Sequence, residues 1–190
     1  MDPAPTPDRE LVVRIKGRDP SGLEELYGRY ARPVYSLALR ILGDASASED
    51  VTQDVFLKLW RQPESYDPER GALGPWLLSL AHNRAIDVVR RRRFREERPS
   101  ESRPPEDLLA SDDLDPGEAA GMEETAQLVR RALERIPAAQ RQAIEMAFFQ
   151  GKTHVEISAE LGEPLGTAKT RIRLGMRKLR ALLEGQGVGI

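Results

Sequence analysis

The 190-residue chain contains no cysteine. Structural disulfides and cysteine-ligated zinc are therefore excluded. Only two histidines occur, His82 and His154, and the pattern described below places them in different units. There is no glycine-rich phosphate loop and no paired-carboxylate motif in a supporting context. The expectation is a protein that is not an enzyme and needs no cofactor or metal. No run of about 18 apolar residues exists, so no membrane insertion is expected. The opening MDPAPTPDRE is acidic and proline-rich, unlike a signal or transit peptide, and a cytoplasmic location is expected. Strand signals are nearly absent, because β-branched residues stand singly inside helical patterns. An all-α fold follows.

Excess charge is also lacking, at a formal net −2. A protein that coats DNA by bulk positive charge is excluded. The charges are instead segregated. Arg84 to Arg98 carries seven arginines against three acids, and Leu165 to Leu183 carries six lysines and arginines and no acid. Glu97 to Glu124 carries ten acids against two arginines. Local sign matters more for partner choice than the net value here.

The stretch WLLSLAHNRAIDVVRRRRFR, Trp76 to Arg95, has no glycine or proline and predicts about five helical turns. Leu77, Leu78, Ala81, Ala85, Val88 and Val89 recur at helical spacing and can bury one face. Trp76, Leu80, Asn83, Asp87 and Arg90 form a second stripe at steps of four and three. The run Arg90, Arg91, Arg92, Arg93 and then Arg95 suits a phosphate backbone. It equally suits a solvated charge run at the negative end of a helix dipole.

Before this stretch, Asp8 to Lys16 predicts a short helix with Leu11, Val12 and Ile15 inward, ended by Gly17. Asp19-Pro20 reads as an N-cap with proline in the first turn of a helix to about Leu42. Its stripe is Leu23, Leu26, Tyr27, Tyr30, Val34, Leu37, Ala38 and Ile41, with Pro33 expected to bend or break it. A third helix is expected to start at Ser46 or Ser48 and bury Val51, Val55, Phe56 and Leu59. Asp50, Gln53, Asp54 and Leu57 share another face, acidic with one apolar anchor. Composition alone favours an ordinary solvent face over a docking face there. Residues 62–75, with three prolines and two glycines, predict a loop.

From Glu97 the chain is rich in proline and acids and cannot bury a core, so residues 97–122 are expected to be a flexible linker. Leu128, Val129, Ala132, Leu133 and Ile136 begin a second unit. Pro137 opens a helix with Ala143, Ile144, Ala147 and Phe148 inward. Thr153 and Glu156 form a capping box on a short helix through Leu161. Gly162 turns the chain into a last helix to about Glu184. Thr153 to Leu183 thus has the shape of a helix-turn-helix. Val155, Ile157 and Leu161 are expected inward from its first helix, and Leu165, Ala168, Ile172, Met176 and Leu179 from its second. Thr167, Lys169, Thr170, Arg171, Arg173 and Arg177 remain outward, the groups that read a major groove and its phosphates.

Two segments together resemble one family. SEDVTQDVFLKLW followed by WLLSLAHNRAIDVVRRRR resembles region 2 of the sigma factors of bacterial RNA polymerase. IPAAQRQAIEMAFFQGKTHVEISAELGEPLGTAKTRIRLGMRKLRALL resembles their region 4. Short length and the lack of anything substantial between them resemble the extracytoplasmic-function, or group IV, sigma factors. The resemblance covers residues 9–96 and 123–184. It implies domains at 8–96 and 123–185 around the 97–122 linker.

The resemblance also implies partners and roles. Asp50, Gln53, Asp54 and Leu57 would dock on the clamp helices of the polymerase β′ subunit, with further contact to the β subunit. Trp76, Asn83, Arg84, Asp87, Arg90, Arg91 and Arg92 would engage the melted −10 promoter element. Thr167, Lys169, Thr170, Arg171, Arg173 and Arg177 would read duplex −35 DNA. An anti-sigma factor is an expected partner, and the free chain is expected to be monomeric. Leu78 stands where many relatives carry an aromatic. Glu163 and Ala168 replace apolar residues common in the helix-turn-helix, and Ser158 replaces a usual alanine. The alternative is a helix-turn-helix regulator that binds DNA without being a polymerase subunit. That reading leaves the first domain unexplained and lacks a dimerisation helix.

Overall fold

A computed structural model describes residues 6–96 and 127–185. The chain divides into two compact units, Met1–Leu108 and Leu109–Ile190. The expected linker, the onset of the second domain at Glu123, and the Arg95 side chain lie outside the described residues. Among the described residues all regular structure is helical.

The first unit contains α1 (Asp8–Lys16), α2 (Pro20–Leu42), α3 (Ala45–Arg61), a 3₁₀ turn (Pro63–Ser65) and α4 (Leu73–Glu96). Leu11, Val12 and Ile15 of α1 are buried as expected. Asp19 caps α2 by accepting the Ser21 N–H at 3.0 Å, and Gly43 ends it in the left-handed conformation. Pro33 does not break α2. Its ring removes one backbone bond, but buried Val34, Ala38 and Ile41 hold the second half of the helix in place. Close approach of α1 and α2 requires Gly22, where a Cβ would lie 2.7 Å from the Leu11 carbonyl oxygen.

α3 starts earlier than Ser46 or Ser48. Asp44 is its N-cap, accepting the Ala47 N–H at 3.0 Å. Ser48 and Thr52 are turned into the core, and their hydroxyls donate to the carbonyls of Asp44 and Ser48 at 2.6 and 2.8 Å. A buried hydroxyl satisfied within its own helix costs little, so serine here serves packing rather than capping.

α4 likewise starts earlier, at Leu73, and takes Gly74 and Pro75 into its first turn. Proline is tolerated there because the first turn lacks intrahelical N–H partners. Leu73 is buried, and a Cβ on Gly74 would meet the Tyr30 ring at 3.0 Å. The buried stripe is Leu73, Leu77, Ala81, Ala85 and Ile86. Leu78, Val88 and Val89 are only half-buried, on the flanks of this stripe.

In the second unit, α5 covers residues 127–134, followed by α6 (Ala138–Phe148), α7 (His154–Leu161) and α8 (Leu165–Glu184). Its core joins Ala143, Met146, Ile157 and Ala168, flanked by Ala147, Leu161 and Ile172. Phe148 is on the surface, edge-on to Phe149, and Met146 takes the inward place. The Thr153–Glu156 capping box forms, and Gly162 turns the chain at φ 64°. Val155 faces outward at 64% exposure. Two residues from buried Ile157, it lies roughly 200° around an eight-residue helix. In α8 the inner stripe passes through Gly175, not Met176, which is exposed along with Leu165. A Cβ at Gly175 would lie 2.6 Å from Ile144 Cδ1, so the glycine brings α8 close to α6.

Candidate nucleic-acid and polymerase interfaces

The acidic face of α3 is wholly outside the core. Asp50, Gln53, Asp54 and Leu57 are all exposed, Leu57 by 43%. The opposite face, Val51, Val55, Phe56 and Leu59, is buried. One amphipathic helix therefore fixes the direction of a carboxylate pair with an apolar side chain one turn beyond. This face can meet a basic partner surface with an apolar pocket.

The second surface lies on α4 and the loop before it. Asn83, Asp87 and Arg90 are exposed in one stripe, Arg84 is half-buried, and Arg91 is exposed. Trp76 is half-buried and its ring lies 5.6 Å from that of Tyr66, tilted by 57°. Part of the indole is thus occupied by an intramolecular contact. Tyr66 is buried, and its hydroxyl donates to the Gly71 carbonyl at 3.0 Å, closing the loop on itself. Burial raises the Tyr66 pKa, so the phenol remains a donor. Arg9 on α1 pairs with Glu69 at 2.8 Å and ties the loop to the body. Deeper in, the Tyr30 hydroxyl donates to Asp8 Oδ2 at 2.5 Å, and Arg29 pairs with the same carboxylate. Tyr30 belongs to the apolar stripe of α2, but its bond to Asp8, like the roles of Tyr66 and Asp44, is not evident from helical periodicity. Only an aromatic inside a proline- and glycine-rich loop hints at Tyr66.

Arg92, in the same run, reaches across to α3. Its Nη2 donates to Asp44 Oδ2 at 2.6 Å, so the C-terminal half of α4 is strapped to the cap of α3. The Ala47 N–H, aided by Arg92, holds the Asp44 carboxyl below its ordinary range. The pair is about 40% exposed on each side and remains in reach of solvent and ligand.

The third surface is on α8. Lys169, Thr170, Arg173 and Arg177 are exposed, and Thr167 is half-buried. Arg171 is half-buried and forms an ion pair with Glu163 in the turn. The departure at Glu163 thus adds a contact to one of the outward groups. His154 is exposed at the start of α7, and His82 is half-buried on α4 in the other unit.

Both units have counterparts among known proteins. Residues 26–95 match the family described as Sigma-70 region 2, and residues 126–179 that described as Sigma-70, region 4. The chain is similar to the extracytoplasmic-function RNA polymerase sigma factor RpoE of Cereibacter sphaeroides, 38% identical over 165 residues, covering 86% of this chain and 87% of the relative. It is also similar to the extracytoplasmic-function sigma factor SigK of a Mycobacterium species, 35% identical over 189 residues, covering 95% and 93%. Among solved structures, Rhodobacter sphaeroides SigE in complex with the anti-sigma ChrR is 34% identical. That match covers 94% of this chain and 99% of the other, with a TM-score of 0.46. Two sigma-type regions in one helical chain define a transcription initiation factor. The chain belongs to the extracytoplasmic-function family of RNA polymerase sigma factors. A helix-turn-helix regulator acting without polymerase is not favoured, since it leaves the region 2 match without a role.

Proposed function

We propose that the three surfaces divide the work of promoter recognition. The observation that carries this reading is in the first unit. One compact unit turns both the acidic α3 face and the Asn83–Asp87–Arg90 stripe out of its core. On α3, Asp50, Gln53, Asp54 and Leu57 dock on the clamp helices of the polymerase β′ subunit, and the β subunit completes the contact. On α4, Asn83 and the residues around Trp76 engage unpaired bases of the melted −10 element. Asp87 accepts from a base edge or orients a neighbouring cation. Arg84, Arg90, Arg91 and Arg92 hold the strand. An unpaired base needs polar groups for its edge, an apolar or flat group for its face, and cations for its backbone. Arginines on phosphate fix position and carry little sequence information.

In the second unit α8 enters the major groove of the −35 duplex. Thr167, Lys169, Thr170, Arg173 and Arg177 supply base-edge and phosphate contacts. Arg171 sits in the same helix but is already paired with Glu163. The acidic segment 97–122 tethers the two readers. The protein works in the cytoplasm and is monomeric when free. An anti-sigma factor is its regulatory partner, as ChrR is for Rhodobacter sphaeroides SigE. No helix among the described residues is long and apolar enough to cross a membrane.

The test is reconstitution. The purified chain is added to core RNA polymerase and a promoter library. Transcripts from a defined promoter set that vanish without the chain are expected. Operator binding by a dimer of the chain alone, with no affinity for core polymerase, overturns the reading.

A further inference from the structure

Glu163 lies in the turn of the helix-turn-helix with its backbone fixed on both sides. Its N–H donates to the Ser158 carbonyl at 3.0 Å, and its own carbonyl accepts from the Ser158 hydroxyl. Gly162, at φ 64°, sets the direction of the chain just before it. The carboxylate is thus projected from an anchored position, and it meets the guanidinium of Arg171. Both side chains are about three-quarters buried, at 24% and 28% exposure. The second carboxylate oxygen, Oε2, is buried with no hydrogen-bond partner. A buried carboxylate with a spare oxygen depends on its one cation.

Position on α8 sets Arg171 apart. It is three residues after buried Ala168 and four before buried Gly175. At 3.6 residues per turn this puts it roughly 60° from Ala168, whereas Thr170 lies roughly 160° away. Thr170, Arg173 and Arg177 point away from the core, and Arg171 points along its flank toward the turn. A guanidinium on that flank could swing to a DNA phosphate, because arginine is long and its stem flexible. The fixed carboxylate opposes that swing.

We infer that Glu163 is a specificity-setting residue: it holds Arg171 against the turn and withholds it from the DNA backbone. The inference rests on the reading of α8 as the −35 helix. Phosphate contacts raise affinity for every sequence alike. Withholding one cation leaves a larger share of binding to the base-contacting groups. Arg171 becomes a strut that fixes the angle between the turn and the recognition helix.

The experiment measures binding of holoenzyme, assembled from core polymerase and the full chain, to fluorescent duplexes with an intact or scrambled −35 element over a salt series. Glu163→Gln keeps the shape and removes the charge. Freeing Arg171 adds about one phosphate contact and steepens the slope of log affinity against log salt by about 0.9. Between 50 and 200 mM salt the variant then loses about 3-fold more affinity than the wild type. Its preference for intact over scrambled duplex falls. Arg171→Gln with Glu163 in place leaves the slope unchanged, and the double variant Glu163→Gln/Arg171→Gln returns it to the wild-type value. Three results overturn the inference: an unchanged slope in Glu163→Gln, a steepened slope that survives in the double variant, or a shallower slope in Arg171→Gln alone. A wild-type holoenzyme that does not distinguish intact from scrambled duplex is a different failure, that of the −35 reading itself.

Discussion

Asp44 shows how much one side chain can decide. It caps α3 through the Ala47 N–H and holds Arg92 at 2.6 Å. Serines at 46 and 48 offered equally good cap chemistry, so local sequence could not choose among the three. The burial of Ser48 chose, because a helix that starts at Ala45 turns Ser48, Val51, Thr52 and Val55 inward together. Asp44→Ala loses the cap and is expected to cost about 1 kcal/mol. Asp44→Asn keeps a cap acceptor and loses only the half-exposed ion pair, worth less than about 1 kcal/mol. Thermal melts should therefore rank wild type above Asn and Asn above Ala, and equal losses would show that the cap does not matter. The carboxyl is depressed in the folded state, so its contribution is complete above the unfolded value near pH 4. It is lost as pH falls through the folded value. The gap between wild type and Asp44→Asn should close on acidification in that window and stay constant from pH 5 to 8. Tyr66, too, could be placed only by its neighbours. Its partners, Gly71 and Trp76, are close in sequence, but nothing in a loop composition says that the loop folds back on itself.

At the scale of elements, helical periodicity located the faces and misjudged some edges. The core residues of α1 and α3 and the exposed acidic face of α3 are all where spacing puts them. Val155, Phe148 and Met176 are not. Met176 yields the inward place to adjacent Gly175, Phe148 to Met146 two residues before it, and Val155 lies on the far side of its helix from Ile157; apolarity alone does not state which residue faces in. Glycines were equally silent. Gly22 separates α1 from α2 by no more than a hydrogen's width, with Leu11 oxygen at 2.7 Å and Arg14 Cβ at 2.9 Å from any added Cβ. Gly22→Ala gains helix propensity but must push backbone apart, and a net loss of about 1–3 kcal/mol is expected in denaturant unfolding. No loss would mean that α1 is free to shift. Asp54 is exposed and makes no core contact. Asp54→Lys should leave the melting temperature of the chain unchanged while weakening holoenzyme assembly by about 10-fold, or about 1.4 kcal/mol, through like charges on a docking face. Normal assembly in a competition assay would remove α3 from the interface. Lys169→Ala makes the reciprocal case. Assembly should be normal, −35-dependent initiation should fall, and the salt slope should flatten by about 0.9 if the lysine touches phosphate.

For the whole molecule, a net charge of −2 says little, because it averages two basic helices against one acidic segment. The division into two compact units and the separate matches to regions 2 and 4 make each unit's own surface the relevant object. The proposed division of labour then predicts separable defects: α3 variants fail in assembly, and α8 variants fail on DNA after assembly. The sequence by itself determined the all-helical class, the two helical regions, the helix-turn-helix and the sign of each surface. Those properties follow from the spacing of apolar residues, from capping chemistry and from where charges fall along the chain. Tertiary structure decided which carboxylates meet Arg92 and Arg171. A row of letters does not show that each is paired with a carboxylate brought to it by folding, Asp44 from 48 residues away and Glu163 across a turn. A pattern along the chain records which residues share a face. An ion pair depends on where two faces meet, and that is set only when the helices pack.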